Sequence, residues 1–258
     1  MRDLIRMYLY RMRKARGFRI MLILSFAFGL IITPLERGFV LLLELSGDDP
    51  AEAALLFTPI SGLSGIIGNP FPLMNAMLMF LSAFVFFGAD TSRGYIKNTI
   101  GLMPRRAHTL MAEFFVIMIH NALFMAAGIL GNLIGTALFR QISVDGEILN
   151  GILTLLTKYV LALSLTTLIM LLTAAKGNKG LGIVTCVLLG CRMLMFIWML
   201  ISMGIQMLTK SSFALGDYMP DQLLYAAEVG QPYTILIAVG LLALLLPLSI
   251  RSFNRRDL

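Results

Sequence analysis

Residues 110–139 read LMAEFFVIMIHNALFMAAGILGNLIGTALF, thirty positions with one charged side chain, Glu113. The hydrocarbon core of a bilayer is about 30 Å thick, and an α-helix needs about 20 predominantly apolar residues to cross it. This stretch is long enough, so the sequence predicts a membrane-spanning helix here. Further apolar stretches lie at 70–88, 151–175, 181–208 and 233–250.

The first apolar stretch of the chain is interrupted by Pro34, Glu36 and Arg37, after which a second apolar run resumes. One interpretation is a single long span over about 18–45, kinked at the proline, with Glu36 and Arg37 turned toward protein or a wet cavity. The alternative is a span that ends at Pro34 and is followed by an external helix.

The composition agrees with a lipid-embedded chain. Of its 258 residues, 58% are hydrophobic and 14% charged, and the mean hydropathy is +0.86. Soluble domains are about 45–50% apolar and about 25% charged. We therefore predict an all-α integral membrane protein of six transmembrane helices, with no room for a soluble catalytic domain.

The basic residues predict the orientation. Sixteen of the 21 Lys and Arg residues lie in the N-terminal segment, the loops after the second and fourth spans, and the tail. Arg37, Arg140 and Lys210 lie on the other side, which carries most of the acidic residues. The positive-inside rule places both termini in the cytoplasm. The net charge of +7 then faces anionic membrane lipid, and we expect no nucleic-acid partner.

The ends of the chain and one external segment have distinct patterns. Residues 1–17 place Leu4, Tyr8 and Met12 on one helical face and arginines on another, which predicts an amphipathic helix on the inner leaflet; an ordinary basic flank is the alternative. The transmembrane domain occupies 18–250, with an outer segment at 209–232 that is expected to form short helices. Residues 251–258 form a basic tail.

Signatures of catalysis are missing from the sequence. It contains no phosphate-binding loop, no His-Glu-x-x-His zinc helix and no Gly-x-Ser-x-Gly nucleophile elbow. Cys186 and Cys191 would point in different directions on a helix, so we interpret them as buried thiols. We expect no catalytic site, metal or cofactor on this chain.

Polar residues inside apolar spans are costly and tend to face the interior of a helix bundle, where they can line a path. An alternative is that Lys158 snorkels outward and that the Asn and His residues only join helices by hydrogen bonds. Gly131 and Gly135 form a Gly-x-x-x-Gly pattern, most often a sign of close helix packing. The candidate path residues are Glu36, Arg37, Asn75, His120, Lys158 and Arg192.

The loop after the second span, 88–106, reads GADTSRGYIKNTIGLMPRR. Its Asp90, Thr91 and Ser92 can cap a short helix whose exposed face carries Tyr95 and Ile96. A capped cytoplasmic helix with such a face suits docking into a groove of another protein.

This loop resembles that of the permease subunits of type-2 ABC exporters, which carry an acidic residue, a Gly-x-Ile-Lys-Asn-like run, and then Pro and basic residues. The N-terminal helix, the six spans and the longer segment before the last span are also similar, whereas Glu36 and Arg37 in the first span do not match the family pattern. The matching residues are Asp90, Gly94, Ile96, Lys97, Asn98, Pro104 and Arg105.

The resemblance implies that 89–108 is a coupling loop on a cytoplasmic ABC ATPase, two per complex, which binds ATP and Mg. It also implies a second permease copy or a sister permease, and a location in the bacterial cytoplasmic membrane. The coupling residues would be Asp90, Arg93, Gly94, Tyr95, Ile96, Lys97, Asn98 and Thr99.

The likeness is greatest to bacteriocin-immunity permeases and exporters of phenol-soluble modulins, which implies an amphipathic peptide as cargo. The alternatives are a drug, lipid-linked or ion substrate, a regulatory membrane subunit that transports nothing, and a membrane enzyme, for which a polar catalytic cluster is missing.

Overall fold

The computed structural model describes residues 1–46, 62–71, 75–92, 106–139, 142, 147–176, 179–209, 214–226 and 232–254. The elements found in them are helical, which confirms the all-α class. They are α1 (Arg2–Lys14), α2 (Arg16–Ser46), α3 (Leu63–Gly68), α4 (Asn75–Ser92), α5 (Arg106–Phe139), α6 (Ile148–Lys176), α7 (Lys179–Gly190), α8 (Leu194–Thr209), a 3-10 turn (Leu215–Tyr218), α9 (Pro220–Leu223) and α10 (Pro232–Asn254).

Within these residues, four helices are long and apolar enough to cross a membrane, and α7 with α8 makes a fifth if the bent pair is one crossing. The chain is therefore a multi-pass membrane protein. The predicted second span is covered by α4, whose apolar part, Asn75–Phe87, is shorter than a full crossing. The count of six spans and the sidedness of the termini stay predictions. The four segments that are long and apolar enough are Arg16–Phe39, His108–Phe139, Ile148–Leu172 and Pro232–Ser252.

Helix α2 resolves the choice about the first span. It continues past Pro34 to Ser46, which confirms the long helix and not the one that ends at the proline. Glu36 is buried, as expected for a residue turned toward protein, whereas Arg37 is exposed; whether Arg37 faces a wet cavity stays a prediction.

The N-terminal amphipathic helix is confirmed as a helix, and its apolar face packs on the bundle. Leu4, Tyr8 and Met12 are buried, and the Tyr8 hydroxyl donates a 2.9 Å hydrogen bond to Oε1 of Glu113 on α5. The chain turns at Ala15, whose backbone is extended, two residues before the predicted boundary at 17. The position of the N-terminal helix α1 on the inner leaflet stays a prediction.

The most extensive helix contact joins α2 to α5, and glycines make it close. A Cβ at Gly29 would lie 2.6 Å from the carbonyl oxygen of Gly128, and one at Gly131 would overlap the carbonyl oxygen of Phe26. Small residues let helix backbones approach in lipid, where no hydrophobic force drives helices together. The Gly-x-x-x-Gly pattern thus marks the central crossing of the bundle.

Polar side chains reinforce this crossing. Ser25, Gly29 and Thr33 recur every four residues on α2, so they share one face. Thr33 and Thr136 share a hydrogen bond of 3.1 Å between their hydroxyls, and the Ser25 hydroxyl donates to the carbonyl of Phe124 at 3.5 Å.

We predict that Gly131→Ala lowers the stability of the protein by about 1–3 kcal/mol, because the added methyl group overpacks the crossing. The matched control is Gly240→Ala, where a Cβ meets nothing within 4 Å. There the same change should be neutral or stabilising by up to about 1 kcal/mol, since alanine favours a helix. Thermal unfolding in detergent measures the stability of both variants. An equal change in stability in the two would contradict the close crossing of α2 and α5.

Candidate functional site

The long apolar stretch 181–208 was predicted as one span; the structure shows that its helix is not continuous, and whether the bent pair makes one crossing stays a prediction. Helix α7 ends at Gly190, α8 begins at Leu194, and the two axes differ by 69°. Arg192, predicted near the middle of a continuous span, instead lies in the break. Its φ of 57° is the only positive value at a non-glycine residue in the described part of the chain.

The break has the form of a Schellman helix ending. The Met193 N–H bonds to the carbonyl of Leu188 at 3.1 Å, and Arg192 occupies the left-handed position that glycine usually takes in this motif. For a residue with a Cβ this conformation costs about 1–2 kcal/mol. Strain of this kind is kept where the surrounding structure enforces it, often at functional sites.

Tyr225, in the turn after α9, caps the end of α7 at the break. Its hydroxyl donates to the carbonyls of Gly190 at 2.8 Å and Leu189 at 3.2 Å, which the ended helix leaves without partners. Burial raises the pKa of this phenol, so it retains the proton that it donates. The Arg192 guanidinium carbon lies 5.2 Å from the centre of the Tyr225 ring, as in a cation–π contact.

A cavity of about 550 Å³ opens beside Arg192, between α8 and the outer segment. Its wall combines a cation at the break, adaptable methionines and the polar groups of the outer segment. It is lined by Arg192, Met195, Trp198, Met199, Ser202, Met203, Gln206, Ala214, Gly216, Asp217, Gln222, Leu223, Ala226 and Tyr233.

Hydrogen bonds tie α8 to the outer segment, where the expected short helices are present. The indole N–H of Trp198 donates to both carboxylate oxygens of Asp221, at 3.1 and 3.2 Å. The Gln222 amide donates to the same carboxylate at 2.8 Å, and the Leu215 N–H donates to the Ser202 hydroxyl at 2.9 Å. Asp221 is thus buried with its charge compensated by donors.

Lys158 lies on α6, within the segment Ile148–Leu172. It is 1% exposed, so it does not snorkel to the surface of the described chain. Lys158 is not among the residues that line the cavity beside Arg192. Of the predicted path candidates, Arg192 therefore lines this cavity and Lys158 does not.

His120 belongs to a separate buried network that joins three helices. The Ser82 hydroxyl on α4 lies 3.0 Å from its Nε2, and the Asn121 side-chain oxygen lies 3.1 Å from its Nδ1. The Asn121 amide donates to Thr166 on α6 at 3.0 Å. The side-chain oxygen of Asn121 can only accept a hydrogen bond, so the facing Nδ1 of His120 carries the proton. The other ring nitrogen of the neutral imidazole, Nε2, then accepts from the Ser82 hydroxyl. His120 and Asn121 therefore act at least as interhelical links.

Asn75 lies at the start of α4 and packs against Gly128 of α5, where a Cβ would come 2.7 Å from its amide nitrogen. The amide is 1% exposed, and neither of its polar atoms has a hydrogen-bond partner among the described residues. Such an orphaned amide suits a bound water.

The predicted coupling residues Arg93, Gly94, Tyr95, Ile96, Lys97, Asn98 and Thr99 lie outside the described residues. Asp90, Thr91 and Ser92 were predicted to cap a separate helix, and the structure places them in the last turn of α4. The helix that they were predicted to cap lies outside the described residues, so the capping stays a prediction.

Sequence reasoning did not single out Ser82, Trp198, Asp221 or Tyr225. Trp198 is the chain's single tryptophan, and Asp221 follows the helix-starting Pro220, but neither fact indicates that the two meet. No family model matches the chain, and no curated protein sequence is significantly similar to it.

We predict that Arg192→Gly is at least as stable as the wild type, because glycine adopts the left-handed conformation without strain. Arg192→Ala loses the same cation but retains a Cβ, so it should be about 1–2 kcal/mol less stable than Arg192→Gly. Thermal unfolding of the two variants in one detergent measures the difference. Equal stability would show that the helix does not break at this residue.

Proposed function

We propose that this chain is the permease subunit of an ATP-driven ABC exporter in the bacterial cytoplasmic membrane, which moves an amphipathic peptide outward. The observation that carries the proposal is the sequence from the end of α4 into the segment before α5, where Asp90, Gly94, Ile96 and Lys97 resemble the coupling segment of type-2 ABC permeases. A separate ATPase, with ATP and Mg, would bind there. This chain contributes no catalytic residue.

The position of the loop between α4 and α5 supports a mechanical role. Ser82 and His120 bind these two helices to each other, and Asn121 extends the link to α6, the helix of Lys158. A force on the loop would therefore reach the buried network directly. The two ATPases of one complex would act on two permeases, either two copies of this chain or a sister pair.

The cavity at the break supports an amphipathic cargo. Met195, Met199 and Met203 give its wall unbranched, polarisable side chains that adapt to different apolar groups. Arg192 supplies a cation for an acidic group of the cargo, while Trp198 and Tyr233 add aromatic surface. A peptide with apolar and charged faces matches this mixture better than a small inorganic ion does.

We predict that Ile96→Asp combined with Lys97→Glu releases the ATPase, because an acidic face replaces an apolar and basic one. The protein should still insert into the membrane in normal amounts. The chain is co-expressed with the ATPase encoded beside it, and the complex is isolated from detergent and assayed for ATP hydrolysis. The control, Ile142→Asp with Lys210→Glu, makes the same changes in segments predicted to be external and should keep the ATPase bound.

An unchanged complex in the Ile96 and Lys97 variant would contradict the coupling assignment. A chain that purifies alone, with each neighbouring ATPase tested, would favour a membrane subunit that transports nothing.

We predict for the cargo that Arg192→Gly lowers the uptake of amphipathic helical peptides into inside-out vesicles about tenfold, the cost of one charge-assisted contact. Arg192→Lys should retain most of the uptake because it keeps the charge. ATPase association, measured on the same vesicles, should be normal in both variants. Equal uptake in the two variants would exclude Arg192 as a contact of the peptide.

A further inference from the structure

A second cavity lies where α1 turns into α2, with α4 as its third wall. Its volume is about 380 Å³, within the range of about 300–1,000 Å³ that is usual for ligand pockets. It is distinct from the cavity at the helix break and shares no residue with it. Its lining residues that matter here are Arg11, Lys14, Gly17, Met21, Val85 and Phe86.

The charged residues that line this cavity are Arg11 and Lys14, both cations. They are three residues apart on α1, so they project from the same side of the helix. The Arg11 guanidinium carbon lies 5.6 Å from the centre of the Tyr8 ring and 5.8 Å from that of Phe86. The Lys14 ammonium lies 5.9 Å from the centre of the Tyr10 ring. Aromatic rings thus position both cations toward one cleft.

The remaining wall is apolar apart from Ser82 and Tyr10, and the helices α2 and α4 that contribute to it also carry exposed apolar side chains. Met21 and Phe86 form the inner part of this wall, and Val85 is 48% exposed at its edge. On α2, whose Gly17 and Met21 line the cavity, Ile20 and Ile23 are 58% and 66% exposed, and both belong to a segment long and apolar enough to cross a membrane. A ligand in this cleft would have its charge at Arg11 and Lys14 and its apolar part against the membrane-facing helices.

We propose that this cleft binds one anionic phospholipid. Its phosphate lies between Arg11 and Lys14, and one acyl chain runs along Met21 and Val85. Two cations beside a mainly apolar wall fit a phosphodiester that carries acyl chains. Free phosphate would bind the cations but leave the apolar wall uncovered. The bound lipid joins α1 to α2 and α4, so it secures the N-terminal helix independently of any transport.

The experiment measures lipid adducts on the full-length protein by native mass spectrometry in detergent, with phosphatidylglycerol and phosphatidylcholine of identical acyl chains. We expect one tightly bound phosphatidylglycerol and much weaker phosphatidylcholine. Arg11→Gln with Lys14→Gln should weaken phosphatidylglycerol binding about 30-fold, since each lost cation costs about fivefold. The control, Arg6→Gln with Arg13→Gln, removes two exposed charges of the same helix that do not line the cleft.

A second variant fills the cleft without removing charge. Gly17 lines the cavity, and a Cβ there meets nothing within 4 Å, so Gly17→Leu should fold normally and lose the lipid. Three results would overturn the proposal: equal binding of both lipids, an equal loss in the Arg6 and Arg13 control, or full binding in Gly17→Leu. Displacement of the lipid by millimolar inorganic phosphate would also overturn it, because the site would then serve a free anion.

Discussion

Helices α2 and α5 approach so closely at Gly29, Gly131 and Gly135 that no side chain fits between their backbones. In lipid, the apolar surface of a helix gains nothing by turning inward, so close packing and buried polar contacts must hold the bundle together. The same device recurs elsewhere, where Gly151 lies against Ser64 of α3 and Gly190 against Met77 of α4. The positions of the other helices depend on these contacts.

Hydrogen bonds between buried polar side chains also hold the helices together. The Tyr8–Glu113 bond fastens the N-terminal helix, and the His120 network fastens α4 and α6 to α5. Each group would be costly in hydrocarbon without its partner, so each contact favours one arrangement of helices. A buried polar contact also stabilises the broken helix, because the Tyr225 hydroxyl donates hydrogen bonds to the carbonyl groups that the break leaves without helical partners.

The two cavities lie at places where the regular bundle is interrupted. One opens where α7 and α8 part at Arg192, and the other where α1 turns into α2 at Ala15. Interruptions leave backbone groups and cations near apolar walls, a combination that suits amphipathic molecules. Cargo at the first and lipid at the second would use the same chemistry for different purposes.

The sequence by itself determined the all-α membrane class, the long first helix as one of two alternatives, the amphipathic N terminus and the glycine crossing, because length, hydropathy and spacing are local properties. Only the tertiary structure decided that 181–208 breaks at Arg192 and that Trp198 meets Asp221. A long, mostly apolar stretch favours a continuous helix, and a single arginine within it does not by itself specify a break. The partner that caps the break, Tyr225, is 33 residues beyond Arg192 in the chain, and folding alone brings the two together.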